Sequence, residues 1–480
     1  MGLGQKMFSG AIWGFIERIA TQVLQLGLGI VLANLLTPED FGVVALLVVF
    51  ITVSQVFIDS GFTKALIQKK DRDDKDISTV FVFNLFISVV LYAILFVAAP
   101  FIAEFFESQQ LISLLRVLAI SLMINALFTV PTTLVTIRLD FKILAKVNLL
   151  AVAISGSVAV YLAYLDYGPW ALVYQTLIKS LVVMILLFYF IKWKPSFQFS
   201  LNRLKKMFKY GSNLMASSLL NVGVNNLSYV LIPKLLSKRD LGLYQQGSQY
   251  SMMVFSTINA GLEKVLLPGL ASVQDQRELL VKHMKKITKT ASVFVLPIFV
   301  MLISLAGPVI GFFLPDTWAP VIPILQIFAV ARGITIFCLL NVNILYIIGR
   351  TDLALKQEYF KIPIRIVFIL IGIQFGIIYL ALAELLATTI HFFIDSYYPG
   401  KFMKYGAWKQ IWNLKKIIGM NLLLLIFTYA LVVYIDNDLI SLITVSVAGL
   451  AFYYALLRIF KVKEIDEPIA MLKVFLKLKK

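Results

Sequence analysis

Two groups of polar side chains repeat at the spacing of a helix face inside apolar stretches of this sequence. The first group is Arg18, Thr21, Gln22 and Gln25, and the second is Asn213, Ser217, Asn221, Asn225 and Ser228. Such groups donate and accept hydrogen bonds, and at membrane depth they are expected to face protein or water rather than lipid. The two stripes therefore predict one polar cavity for a hydrogen-bonding ligand. The alternative is that they bond neighbouring helices together in a tight bundle.

Single basic residues add anion-binding chemistry to this predicted cavity. Arg332 lies about thirteen residues into an apolar stretch, near the membrane midplane, where its side chain cannot reach either surface. We interpret it as a cavity residue, and the alternative is an ion pair with a carboxylate such as Glu17. Lys179 is equally compatible with the cavity and with the membrane interface. Arg18 fits either the cavity or a local ion pair with the adjacent Glu17.

A third polar face could move protons or ions. Glu384, Thr388, His391 and Asp395 stand at i, i+4, i+7 and i+11, so one helix face carries two carboxylates and an imidazole. Groups of this kind, aligned across a membrane, can relay protons. We therefore regard Glu384, His391 and Asp395 as candidates for proton or ion coupling. The alternative is a packing face on which Asp395 pairs with Arg365.

No residue pattern supports catalysis, a metal or a cofactor. The single cysteine, Cys338, allows no internal disulfide, and two histidines cannot build a histidine-rich metal centre. The sequence contains no nucleophile elbow and no phosphate-cradling glycine-rich loop. We therefore predict a protein that is not an enzyme and needs no cofactor.

Composition identifies the elements that must position these residues. The chain has 480 residues, is 60% hydrophobic and only 15% charged, and its mean hydropathy is +0.88. These values predict an all-α integral membrane protein without a sizeable soluble domain. Apolar windows predict fourteen transmembrane helices, at 9–36, 41–62, 78–103, 111–136, 145–165, 170–191, 210–233, 241–267, 290–314, 319–347, 360–377, 379–399, 417–435 and 438–458.

The net charge of +18 is explained by basic residues concentrated in loops on one side of the membrane, so it does not predict a nucleic-acid partner. Of the 44 Lys and Arg residues, 36 lie in the termini and in alternate connections, whereas the opposite connections hold three. The positive-inside rule then places both termini in the cytoplasm. Three basic segments on that side, 200–209, 276–289 and 463–480, are predicted to be interfacial amphipathic helices, the first of them capped by Ser200.

An offset of 200 residues aligns the chain with itself. Asp40 matches Asp240, Gly42 matches Gly242, and Lys64 matches Lys264. Six spans per repeat predict two parallel repeats plus two additional C-terminal helices, the architecture of an alternating-access transporter. The predicted organisation is a six-helix bundle over 1–194, a cytoplasmic linker helix over 195–209, a second bundle over 210–400, and a final part over 401–480. Lys64 and Lys264 either anchor helix ends or flank a cytoplasmic mouth.

Short motifs at helix ends give the sequence a family resemblance. They are LTPEDFG (36–42), ALIQKK (65–70), LDFK (139–142), GPWALVYQ (168–175), LPDTWAP (314–320) and GRTDL (349–353). In their order and spacing they resemble polysaccharide exporters of the multidrug/oligosaccharidyl-lipid/polysaccharide (MOP) flippase superfamily, especially the lipopolysaccharide and teichuronic-acid (Wzx/TuaB-like) branch. The resemblance would place an acidic residue in the seventh span, where Asn225 and Asn226 stand instead.

The resemblance implies a flippase that moves an undecaprenyl-pyrophosphate oligosaccharide across the bacterial inner membrane by alternating access, for cell-surface polysaccharide synthesis. It implies membrane lipids, the lipid-linked oligosaccharide and polysaccharide-assembly proteins as partners. Arg and Lys would hold the pyrophosphate, while amides and aromatic faces suit sugars. Two alternatives stay open: a cation-coupled antiporter of cationic drugs, related to multidrug and toxin extrusion (MATE) proteins, and a membrane-embedded glycan polymerase or ligase.

Overall fold

The computed structural model describes residues 3–59, 62–69, 71–271, 276–462 and 464. Within these ranges the chain is helical and contains no strand. The α-helices are α1 (Leu3–Leu35), α2 (Pro38–Asp59), α3 (Phe62–Gln68), α4 (Asp74–Phe105), α5 (Gln110–Leu118), α6 (Ile120–Ile137), α7 (Phe141–Tyr164), α8 (Pro169–Ile191), α9 (Leu201–Leu235), α10 (Lys238–Ala271), α11 (Arg277–Phe313), α12 (Val321–Ile347), α13 (Thr351–Gly372), α14 (Ile377–Asp395), α15 (Tyr397–Met403), α16 (Ala407–Tyr434) and α17 (Asp438–Ile459).

The predicted fold class is confirmed. In the described ranges, fourteen of these helices have 18 residues or more, and eleven stretches are both long and apolar enough to cross a membrane. The three long helices outside that set are α9, α10 and α13, which carry more polar and charged residues. Each of these three helices coincides with a predicted span. They are as long as the other eleven and differ from them in being more polar.

The predicted break between the eleventh and twelfth spans, at 377–379, lies within a few residues of a turn in the structure. A short 3-10 turn over Ile373–Phe375 leads to Gly376, whose φ of 106° is accessible mainly to glycine. The chain reverses there, and α14 starts at the next residue. Two other predicted spans consist of two helices each, α5 with α6 and α14 with α15.

Two of the predicted interfacial segments belong to long spanning helices. Residues 201–209 form the start of α9, and residues 277–289 form the start of α11. Ser200 precedes α9 but makes no capping hydrogen bond, contrary to the prediction. Leu204 and Met207 are buried in a cluster with Phe62 and Phe81, so this apolar face packs against protein rather than lipid. The third predicted segment, 463–480, lies outside the described residues except for Glu464.

The chain divides into two compact units, Met1–Gln245 and Gln246–Lys480. In the first unit α1 packs along α7, α7 along α8, α4 along α6, and α2 along α9. In the second unit α11 packs along α12 and α16, α12 along α14, and α13 along α14, while α17 covers α11 and α16.

The 200-residue repeat is visible in the local structure of the first unit. At the start of α2, Thr37 Oγ1 donates a hydrogen bond to Asp40 Oδ2 (2.7 Å), and at the start of α10 Ser237 Oγ donates to Asp240 Oδ2 (2.6 Å). The two helix starts touch through glycines, because a Cβ on Gly42 would lie 1.8 Å from the Lys238 carbonyl oxygen. Aligned residues of the two repeats therefore adopt the same capped conformation.

Candidate functional site

The stripe on α1 lies on a helix held against α7. Asn148 Nδ2 donates a hydrogen bond to Glu17 Oε1 at 3.0 Å, and Leu28 lies against Gly156. Glu17 is therefore bonded to α7, while the neighbouring Arg18 is exposed and makes no ion pair with a described residue. The local pair between Glu17 and Arg18 is not present.

The other members of the α1 stripe are less exposed than Arg18. Thr21, Gln22 and Gln25 are half-buried. Thr21 Oγ1 is buried and has no hydrogen-bond partner in the described part of the chain. Along these two turns of α1, the polar side chains therefore become less exposed from Arg18 to Gln25.

The stripe on α9 is more open. Asn221 and Asn225 are exposed, and Ser228 at the end of the stripe is buried. The Asn221 side-chain amide donates to the carbonyl oxygen of Ser217 (2.9 Å), one turn earlier on the same helix. Because an amide facing lipid is costly at membrane depth, this exposure is the pattern expected beside a water-filled space.

Lys179 is the basic residue at membrane depth in α8. It is half-buried and forms neither an ion pair nor a hydrogen bond with any residue of the described ranges. A partly desolvated ammonium without a counter-ion is the arrangement that an anionic ligand would complete.

A polar chain connects α2 and α6. Gln55 Nε2 donates to Asp59 Oδ1 (3.1 Å), and Asn125 Nδ2 donates to Gln55 Oε1 (3.3 Å). Asn125 was not recognised as a site candidate. The available signal was its i+4 and i+7 spacing to Thr129 and Thr132, whose hydroxyls bond to carbonyls of their own helix.

Arg332 lies on α12 in the second unit and is half-buried. Its guanidinium carbon is 5.9 Å from the ring centre of Phe255 on α10 and 5.8 Å from that of Phe328. Two aromatic rings therefore flank the cation, within the range of cation–π attraction. The side chains of Lys64 and Lys264 lie outside the described part of the structure.

The predicted coupling residues of α14 face α13 and are held there by basic partners. Arg365 binds Glu384 with two parallel contacts, Nε to Oε2 and Nη2 to Oε1, each 3.0 Å. Lys361 Nζ lies 3.0 Å from Asp395 Oδ1. The imidazole Nε2 of His391 is 3.2 Å from the Lys361 carbonyl oxygen.

The alternative interpretation, a packing face on which Asp395 pairs with Arg365, named the wrong partner for Asp395. The turn at Gly376 makes α13 and α14 antiparallel, so residues at similar distances from the turn lie opposite each other. Arg365 stands eleven residues before the turn and Asp395 nineteen after it, a mismatch of eight residues or roughly 12 Å of helix. Glu384, eight residues after the turn, lies within reach of Arg365 instead.

A charge cluster joins the start of α9 to the start of α4. The Arg203 guanidinium contacts Asp73 and lies 3.0 Å from Asp76 Oδ1, and Lys69 also pairs with the buried Asp76. Hydrogen bonds from Arg203 and from the Asp76 backbone N–H hold the pKa of Asp73 well below its usual range. The sequence analysis missed this cluster, although Asp73 and Asp76 have the spacing of a capping box.

The sequence matches a known family model. The model of the family described as polysaccharide biosynthesis protein aligns with residues 31–323. The teichuronic acid biosynthesis protein TuaB of Bacillus subtilis (strain 168) is 26% identical over 352 residues, which are 73% of this chain and 73% of TuaB. The lipopolysaccharide biosynthesis protein WzxC of Escherichia coli (strain K12) is 24% identical over 449 residues, which are 92% of this chain and 90% of WzxC.

Solved structures share the fold. The lipid II flippase MurJ in an inward closed conformation superposes with a TM-score of 0.76 at 18% identity, covering 95% of this chain and all of that one. An inward-facing multidrug resistance transporter of the MATE family superposes with a TM-score of 0.63 at 17% identity, covering 83% of this chain and all of that one. At these identities the likeness concerns the fold alone.

Proposed function

Because the chain belongs to the polysaccharide biosynthesis protein family, we propose that it is a flippase that moves a lipid-linked oligosaccharide across the bacterial cytoplasmic membrane for cell-surface polysaccharide synthesis. Its relatives TuaB and WzxC are named for teichuronic acid and lipopolysaccharide biosynthesis. The fold is that of a lipid II flippase and of MATE transporters. An undecaprenyl-pyrophosphate carrier is the substrate class that this proposal implies.

One observation carries the proposal: polar side chains are exposed inside predicted spans. Asn221 and Asn225 of α9 are exposed, and Lys179 has no counter-ion in the described ranges. Amides suit sugar hydroxyls, and an ammonium suits a phosphate. By charge we assign Arg18 and Arg332 to the pyrophosphate, and by hydrogen-bonding capacity Thr21, Gln22 and Gln25 to the glycan.

The proposed transport cycle is alternating access, with Lys64 and Lys264 at the cytoplasmic mouth and both termini in the cytoplasm. Two negative charges leaving an electrically negative cytoplasm release roughly 2.3 kcal/mol per charge per 100 mV. Export therefore has a driving force that does not depend on a coupled ion. Polysaccharide-assembly proteins are the proposed partners at the membrane surface.

For Glu384, His391 and Asp395 we propose a structural role. Glu384 and Asp395 already hold internal cations, so neither presents an open carboxylate to a travelling ion. These pairs fasten α14 to α13. The same observation disfavours an antiporter of cationic drugs, because Glu17 is likewise bonded, to Asn148.

A complementation experiment tests the proposed function. The gene is expressed in a bacterium that lacks its own flippase of this family and accumulates lipid-linked oligosaccharide inside the cell. We expect surface polysaccharide to return with the wild-type chain and to be lost with the Asn221→Leu/Asn225→Leu variant. Leu220→Ala, at a neighbouring exposed position on the same helix, is the control and should leave export intact.

Absence of surface polysaccharide with the wild-type chain present in the membrane would contradict the proposal. So would full export by the double asparagine variant at normal abundance, because the exposed amides would then have no part in transport.

A further inference from the structure

The second unit contains an apolar cleft among helices α11, α12, α14 and α16. Its volume is about 450 Å³, within the range of pockets that hold small ligands. Its lining includes two polar side chains, Thr389 and Asn421, and each donates a hydrogen bond to a carbonyl of its own helix. A hydrocarbon chain is therefore the ligand that this lining fits, because every other lining side chain is apolar and none is basic enough to bind a phosphate.

The cleft follows one face of α16 toward the predicted cytoplasmic end. Ile411, Ile418 and Leu425 line it at seven-residue intervals. Trp408 stands one turn before Ile411 on that face, and its indole packs on the ring of Phe393, which also lines the cleft, at 5.7 Å between ring centres. The indole is 75% exposed, so it marks the mouth of the cleft.

The mouth carries positive charge that no neighbouring acid compensates. The chain has no Asp or Glu from Ser396 to Ile435, and this stretch contains five lysines. All five are exposed, and none forms an ion pair with a described residue; they are Lys401, Lys404, Lys409, Lys415 and Lys416. The Lys415 ammonium lies 3.7 Å from the ring centre of the exposed Trp412. Paired indoles and ammonium groups at a helix end are the composition that binds a lipid headgroup region.

We propose that this cleft and its mouth form a binding site for an anionic phospholipid of the cytoplasmic leaflet. One acyl chain lies in the cleft, and the headgroup phosphate contacts Lys415, which lies one turn from both Ile411 and Ile418 and beside the Trp412 indole. Charge complementarity selects an anionic over a zwitterionic lipid. The competing occupant is the isoprenoid tail of the transported lipid. Its pyrophosphate and glycan would then lie outside the cleft, among the lysines at the membrane surface.

The test counts lipids that remain on the full-length protein in neutral detergent after incubation with equal amounts of phosphatidylglycerol and phosphatidylcholine of identical chains. Native mass spectrometry gives the ratio. We expect phosphatidylglycerol to be retained over phosphatidylcholine by roughly fivefold, because one lysine near an anionic group contributes about that factor. Lys415→Gln should bring the ratio close to one without abolishing retention. The matched control Lys146→Gln makes the same charge change at an exposed position elsewhere and should keep the wild-type ratio.

Filling the cleft should remove both lipids. Gly333→Leu is suitable, because a Cβ at Gly333 meets Phe299 only at ordinary contact distance, 3.6 Å. Leu422→Trp at the exposed lip is the second filling variant, and thermal unfolding verifies that each variant is folded. Equal retention of the two phospholipids by the wild type would overturn the proposal, as would an equal loss in the control. Displacement of phosphatidylglycerol by polyprenyl phosphate would assign the cleft to the isoprenoid chain instead.

Discussion

Arg365→Met should destabilise the second unit, because it leaves the Glu384 carboxylate without its counter-ion. The pair is bidentate, and the side chains of Arg365 and Glu384 are only 24% and 9% exposed. Breaking a buried pair by removing one partner costs about 3–5 kcal/mol, and the partial exposure of the guanidinium favours the lower end. For a unit of this size, 3 kcal/mol lowers the Tm by roughly 6–12 °C.

The measurement is thermal unfolding of the purified protein, made for both single variants and for Arg365→Met/Glu384→Met. Replacing both partners removes the stranded charge, so the double variant should unfold within a few degrees of the wild type. Arg350→Met is the control, because Arg350 pairs with Asp352 in the exposed surface and such pairs contribute little. We expect a Tm change under roughly 2 °C for that control.

A double variant whose Tm loss equals the sum of the single losses would refute the reasoning, because the two residues would then act independently. Export measured in parallel separates structure from ion coupling. We expect the stable double variant to export polysaccharide. Lost export at normal stability and abundance would return Glu384 to the role of a proton or ion carrier.

Three further predictions concern topology and the cavity. A cysteine at Asn437 should react with an impermeant reagent from outside the cell and one at Lys285 should not; the opposite pattern would invert the proposed orientation. Cysteines at Gln25 and Asn225 should react with a water-soluble thiol reagent in one access state, and labelling of both only from lipid would exclude a shared cavity. Export should fall from wild type to Arg332→Lys to Arg332→Ala at constant abundance, because lysine keeps the charge but loses the bidentate fork; full export by Arg332→Ala would exclude a headgroup role.

Short-range chemistry made much of this protein predictable. Hydropathy over 20 residues located the long helices, because the bilayer imposes a length and an apolar composition on each span. The hydropathy windows also separated the eleventh span from the twelfth close to the reversal at Gly376, whose φ of 106° strongly favours glycine. The 200-residue offset predicted equivalent helix starts, and Thr37 and Ser237 each accept a hydrogen bond from the backbone N–H of the matched aspartate, Asp40 or Asp240. The distribution of Lys and Arg residues predicted which side of the membrane each loop faces, and this orientation stays a prediction.

Partner choice across helices required the tertiary structure. The spacing on α14 showed that Glu384 and Asp395 share a face, but the register of the hairpin decided that Arg365 meets Glu384 and Lys361 meets Asp395. Likewise the amphipathic pattern around Leu204 was compatible with contact to lipid or to protein. The packing of α9 showed that Leu204 contacts protein. Helical periodicity specifies which residues share a face, whereas the structure facing them depends on helix register and packing over distances that a local pattern does not encode.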